Sequence, residues 1–345
     1  MDRRIIIIAI ISLLFNACQK TQIGDDKHSQ VYLSASVQEE PMTRAPYYST
    51  EPSARSPLEA AIWASTTRYI YPAGGSNGRT DGTVAVHTTA RFQSASEQLI
   101  AGIYYNQDHI TPVYFVGLHP ASGWSSNAEN TVASFTFDGR QDVMFAPETT
   151  GQYPENGQKT VPALHFSHLL SQIRLSIQAE SDAIAVAWGK INSIKLIDTN
   201  GNSNSRANIN LNNGGVTFDT PSINAYNFYS ISSDATFPDS QGYELKTEEE
   251  EIAYVLCAPV TATEKDQYSI SVVRTSEYII RLECEYRQID IPLDLMSAEE
   301  TYYAGSTMGK QFNIRLMFKA GDTITVSAKI TDWETGGIGI GKIEE

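Results

Sequence analysis

Cysteine is scarce in this 345-residue chain, with three residues, Cys18, Cys257 and Cys284. Two cysteines in the body of the chain cannot frame a disulfide-stapled fold, and without a CxxC pair or a nearby histidine they make no zinc site. Positive charge is also short: 25 Lys and Arg stand against 40 Asp and Glu, a net charge of −15. No basic stripe is available to neutralise phosphates, so no nucleic-acid partner is expected. Charged residues make up only 19%, below the roughly 25% usual for soluble domains. The 41% hydrophobic and 10% aromatic content nevertheless keeps the chain out of the disordered class. Long apolar runs are missing apart from Ile5 to Phe15, which is broken only by Ser12. That run is too short to span a hydrocarbon core, which needs about 20 residues. Of the six histidines only His165 and His168 are near neighbours, and on a strand they would face opposite ways and share no metal. There is no GxSxG, HExxH, P-loop, or GxGxxG between a strand and a helix. The chain does not read as an enzyme, and no metal or cofactor is expected.

What is present begins with an export signal. Met1-Asp2-Arg3-Arg4 is basic, the apolar run follows, and Ala17-Cys18 closes it, so residues 1–17 read as a signal peptide. A small residue followed by cysteine just after the apolar run resembles the lipobox of bacterial lipoproteins, in which the cysteine is acylated and becomes the new N-terminus. Cys18 is then the lipidation site, although Phe15 and Asn16 depart from the usual pattern. Plain secretory cleavage or an uncleaved anchor is the alternative. Residues 18–30 are polar and read as a tether.

Beyond the tether almost every periodic segment alternates with period two. Val31, Leu33, Ala35 and Val37 share one face of a strand over 31–37. Similar runs cover 83–88, 110–118, 131–137, 173–178, 191–198, 215–218, 253–258, 268–273, 278–286, 288–293, 310–318 and 323–330, separated by Gly, Asn, Asp, Ser and Pro clusters. The reading is all-β, built from antiparallel sandwiches, because parallel pairs would need helical crossovers that are not visible. Short helices are expected only at 56–64, with Pro57 in the first turn, and at 295–300. A polar Pro and Gly stretch between Pro147 and Gln158 places a boundary near residue 160, giving one sandwich over 31–160 and a second over 161–345. Glu248 to Glu251 reads as a solvated turn, and the scattered Trp63, Trp124, Trp188 and Trp333 read as core. Whether Cys257 and Cys284 pair in an exported chain is not legible.

Several segments together resemble the fimbrillin superfamily of Bacteroidota pili, in particular its Mfa-like branch. They are the lipobox-like Cys18, the strand 31–37 followed by Thr43-Arg44-Ala45, the runs Val113 to Leu118 and Asp142 to Pro147, the segment Leu164 to Ile173, and Thr325 to Trp333 with a Gly-rich tail. The resemblance covers nearly the whole chain. It implies a lipidated precursor with two tandem transthyretin-like β-sandwich domains, carried to the outer membrane. It also implies assembly with other fimbrial subunits, as a homo- or hetero-polymer, by strand exchange that a trypsin-like or Arg-specific protease triggers.

The residues suit that mechanism. The strand 31–37 is joined to the rest by a loop holding Arg44 and Arg55, both open to such a protease. Cutting after Arg44, with Arg55 as second choice, would free residues 31–44 as a removable strand. The donor would be the tail 334–345, where Ile338 and Ile340 alternate and Ile343 follows. Arg44 can equally be an ordinary surface arginine, and the tail a capping terminus weakened by its glycines. A monomeric surface lipoprotein that binds glycans or proteins is the alternative function.

Overall fold

A computed structural model describes residues 30–37, 57–68, 71, 86–94, 96–106, 108–127, 131–153, 161–199, 205–219, 225–263, 273–274, 277–295, 305–332 and 339–341. Cys18, Arg44, Arg55, Trp333, Ile338 and Ile343 lie outside these residues, as do all but the first residue of the helix expected at 295–300 and most of the run 268–273.

The first part of the chain supplies β1 (Gln30–Val37), β2 (Leu58–Ser65), β3 (Val86–Phe92), β4 (Gln98–Tyr104), β5 (Val113–His119), a short β6 (Ser125–Ser126), β7 (Val132–Thr136), β8 (Met144–Gly151) and β9 (Ala163–His168). Seven of them form one sheet in the order β3-β2-β5-β8-β9-β1-β4. Its two edge strands are consecutive in sequence, and the Thr88 hydroxyl on one donates to the Ala101 carbonyl on the other at 3.2 Å. The sheet therefore curls until its edges approach and encloses a core that includes Leu33, Ile62, Phe92, Ile103, Phe115 and Phe166.

Three strands of this sheet are buried on both faces. On β2, Leu58, Ala60, Ile62 and Ala64 face the enclosed core, while Ala61 and Trp63 enter a second core on the other side. Burial on both faces erases the period-two signal and leaves a continuous apolar run. That is why the helix expected at 56–64 is a strand. On β5 and β8 the same division separates Phe115 and Met144 from Val116 and Phe145.

The rest of the chain adds β10 (Ser171–Ala179), a helix α1 (Asp182–Trp188), β11 (Ile191–Asp198), β12 (Arg206–Asn210), β13 (Val216–Asp219), β14 (Tyr226–Ser230), β15 (Thr236–Phe237) and β16 (Glu250–Cys257). Then come β17 (Thr261–Thr263), β18 (Val273–Arg274), β19 (Tyr278–Cys284), β20 (Gln288–Leu293), β21 (Gly305–Ser306), β22 (Lys310–Phe318), β23 (Ile324–Asp332) and β24 (Gly339–Gly341). The main sheet runs β20-β19-β11-β14-β16-β10-β22-β23-β24, with β15 beside β14; a small sheet joins β18, β17 and β21. The helix was not expected. Its length of about two turns is set by its ends: Ser181 Oγ accepts from the Ile184 amide at 3.4 Å, and Gly189, at φ 68°, donates its amide to the Ala185 carbonyl at 3.1 Å.

A four-stranded sheet in the order β13-β12-β7-β6 ties the two parts together. Ala133 and Phe135 of β7 join Ala207 and Ile209 of β12 in the second core. The chain leaves the seven-stranded sheet at His168 and starts the main sheet at Ser171. The stretch 154–160, where the boundary was expected, lies outside the described residues.

The fold is all-β, but two pairs differ from the antiparallel expectation: β1 runs parallel to β9, and β10 to β22. Each joins segments far apart in sequence, so the intervening strands make the return and no crossover helix is required.

Candidate functional site

The element with an assembly role in view is β1. It lies inside the seven-stranded sheet, antiparallel to β4 on one side and parallel to β9 on the other, with Tyr32 opposite Leu99 and Ala35 opposite Leu164. Its burial alternates strictly: Val31, Leu33, Ala35 and Val37 are at most 3% exposed, while Tyr32, Ser34 and Ser36 are half-buried on the other face. The alternation read from the sequence is thus the alternation observed. Ile100 and Ile103 of β4, and Leu164 and Phe166 of β9, belong to the same core as the four. On the outward face Ser36 Oγ sits 2.8 Å from His165 Nδ1, and the Ser34 amide donates to the Pro162 carbonyl at 3.1 Å.

Two features of this slot were not legible. Strand β4 was missed because Ile100 and Ile103 are three apart; Gly102, at φ 82°, bends the strand, and the pairing with β1 shifts register there. Strand β9 was expected only through the His165 and His168 question. Those two histidines do face opposite ways, His165 exposed and His168 buried.

His168 instead forms a polar cluster at the end of the sheet where the chain crosses over. Its Nδ1 lies 2.9 Å from Asp142 Oδ2. His119, on β5 and separated from β9 by β8, has its Nδ1 2.7 Å from the Glu59 carbonyl. Burial pulls the His119 imidazole below the ordinary histidine range, against the opposing effects of Asp142 and the Glu59 carbonyl. Among the described residues no group of three or more His, Cys, Asp or Glu can hold a metal ion.

Other singled-out residues fall as follows. Three of the four glutamates expected as a solvated turn are paired: Glu249 Oε2 lies 3.1 Å from Arg315 Nε, Glu250 Oε2 lies 2.6 Å from Lys246 Nζ and accepts from the Tyr243 hydroxyl at 2.8 Å, and Glu251 pairs with Arg174. Trp63 and Trp188 are core, the first stacked on His87 at 4.1 Å and the second under Arg287 at 4.3 Å. Cys257 and Cys284 are free and buried, on strands that are not neighbours. Burial pushes the Cys284 thiol up to about 11 and the Cys257 thiol higher still. Ile340 lies on β24, opposite Lys329 of β23. Of the tail only residues 339–341 are described, and as β24 they form an edge of the main sheet, whereas β1 belongs to the seven-stranded sheet.

Residues 43–333 match the family model described as fimbrillin-like. No curated protein matches the chain. Among solved structures the chain is similar to a candidate cell adhesion protein from Bacteroides uniformis, at 15% identity over 88% of this chain and 99% of that one, with a TM-score of 0.50. A candidate cell adhesion protein from Bacteroides ovatus is 13% identical over 89% and 99% of the two chains, with a TM-score of 0.48. The fimbrial anchor protein Mfa2 from Porphyromonas gingivalis is 12% identical over 88% and 97%, with a TM-score of 0.38. The first of these likenesses bears on the fold alone.

Proposed function

The chain belongs to the fimbrillin-like family, a family of fimbrial and adhesive surface proteins, and on that premise we propose that it is a structural or adhesive subunit of outer-membrane fimbriae. In this reading it is exported as a lipoprotein acylated at Cys18 and assembled by protease-triggered strand exchange. The observation that carries the reading is the place of β1, a strand inside a sheet with a fully buried apolar face. The link from β1 to the next described residues holds both Arg44 and Arg55.

Removing such a strand has two physical consequences. It takes Val31, Leu33 and Val37 out of the core, each worth roughly 1.5–3 kcal/mol of burial. It also leaves the facing edges of β4 and β9 with unpaired backbone groups, which invite a replacement strand. While β1 is covalently attached, its effective concentration in the slot is about millimolar, so a strand from another molecule competes poorly. Cleavage after Arg44 removes that advantage. The tail 334–345 then serves as donor, its Ile338, Ile340 and Ile343 replacing the lost side chains.

The test is to treat the purified protein with a trypsin-like protease and run it unheated in dodecyl sulfate. A ladder of resistant multimers is expected from the parent. Arg44→Ala should stay a stable monomer, and deletion of residues 338–345 should be cleaved without forming a ladder. A parent that is cleaved at Arg44 and remains monomeric would favour the monomeric surface binder.

A further inference from the structure

The main sheet carries a notch of about 370 Å3 on its outward face. On β22, Phe312, Ile314, Leu316 and Phe318 are buried in the core, so Asn313 and Arg315 point the other way. Ser176 of β10 and Ser327 of β23 stand opposite Arg315 on its two sides. The three side chains make one row across three strands, and Asn313 lies one pleat along it. The serines are short and the arginine is long, which hollows the surface. Glu249 forms one wall through its ion pair with Arg315, whose guanidinium also donates to Gln178 Oε1. Ile314, a core residue, and Ala328, packed against the core, complete the lining.

The lining decides the ligand class. It has one cation and one anion, and they are paired with each other, so the notch presents no net charge. An anionic ligand would meet Glu249 in a chain that already carries −15. A flat apolar ligand would find no aromatic side chain in the lining. What the lining does offer is two hydroxyls, the planar Asn313 amide, whose Oδ1 accepts from Gln311 Nε2 at 2.9 Å and whose NH2 can still donate, and the outer atoms of the paired carboxylate and guanidinium. Planar groups of this kind bridge adjacent hydroxyls on a sugar ring by paired hydrogen bonds. The volume lies at the small end of ligand sites, which run from about 300 to 1,000 Å3. We propose that this notch is a binding site for a neutral saccharide of one or two pyranose rings, held by Ser176, Asn313, Ser327 and the Arg315–Glu249 pair.

Without an aromatic platform the affinity rests on hydrogen bonds that replace water, so a dissociation constant on the order of millimolar is expected. A weak site gains by repetition along a polymer. It needs no polymer to be detected.

The experiment is a saturation-transfer difference NMR titration of the purified, uncleaved protein with the methyl pyranosides of glucose, galactose, mannose and N-acetylglucosamine. At least one should saturate in the millimolar range. Ser327→Leu, which fills the notch, and Asn313→Ala, which removes the amide, should each lose that signal while keeping the parent's melting temperature. If Ser327→Leu does not fold, Asn313→Ala decides alone. The proposal is overturned if none of the four sugars saturates, or if saturable binding persists in the folded variants. Either negative result leaves the strand-exchange reading intact, since that is read from the protease ladder.

Discussion

His168 and Asp142 meet at 2.9 Å, their side chains 3% and 2% exposed, beside the point where the chain passes from the seven-stranded sheet to the main sheet. The Leu169 amide donates to the Val143 carbonyl at 2.9 Å next to them, so the side-chain contact and the backbone bond clamp the same crossing. Asp142→Ala leaves the buried imidazole without its carboxylate and should cost about 1–3 kcal/mol of stability. Urea denaturation measures this directly. A loss within about 0.5 kcal/mol, as for an ordinary surface substitution, would show that the pair does not hold the crossing.

The same region should make stability depend on pH. Burial depresses the His119 imidazole, and burial likewise depresses His87 where it stacks on Trp63. The unfolded chain takes up protons at these two sites near the ordinary value of 6.5, while the folded protein does so only at lower pH. Their contribution is therefore complete above that value and is lost as pH falls below it. The melting temperature should drop between about pH 7 and pH 5.5, and less steeply in His119→Gln and His87→Gln than in the parent. Equal slopes in all three would remove these histidines from the explanation.

Gly117 faces the enclosed core directly beneath a ring of β9. A Cβ placed there would lie 2.4 Å from Phe166 Cζ. Phe166 is fully buried and cannot swing away, so Gly117→Ala should destabilise by about 1–3 kcal/mol. Pairing it with Phe166→Leu should recover part of the loss, because the shorter side chain vacates the contact. Strict additivity in the double variant would mean that the two positions do not touch.

The two buried thiols give a probe of native packing. With Cys257 and Cys284 unpaired and both raised by burial, neither should react with a thiol reagent at about pH 8 in the folded protein, and both should react after denaturation. Cys284, at 8% exposure against 0% for Cys257, should be the first to respond to mild denaturant. A thiol count unchanged by denaturation would indicate a disulfide.

Where one face of a strand is buried and the other is wet, the sequence is legible: β1, β11, β20 and β22 match the expected runs at both ends or within a residue. Legibility fails when that contrast is lost. Strand β2 is apolar on both faces, and β4 is bent at Gly102 so that its buried residues fall out of step. The parallel pairings of β1 with β9 and β10 with β22 were invisible because partners so distant in sequence leave no local trace. The face of β1 could be read from residues 31–37 alone, whereas its neighbours could not. The saccharide notch and the Asp142–His168 pair are likewise products of tertiary register, assembled from residues that individually look like ordinary surface or core positions.

The central claim is that the place held by β1 can be vacated and refilled, and one binding measurement tests it most directly. A labelled synthetic peptide with the sequence of residues 334–345 is added to the protein before and after cleavage at Arg44, and its fluorescence anisotropy is followed. Strand exchange predicts no binding to the intact protein and saturable binding after cleavage. Binding should be abolished when Ile338 and Ile340 of the peptide are replaced by Asp, and displacement of the fragment carrying Val31 to Val37 should be visible by mass spectrometry. A cleaved protein that keeps its own strand and does not bind the peptide would contradict it.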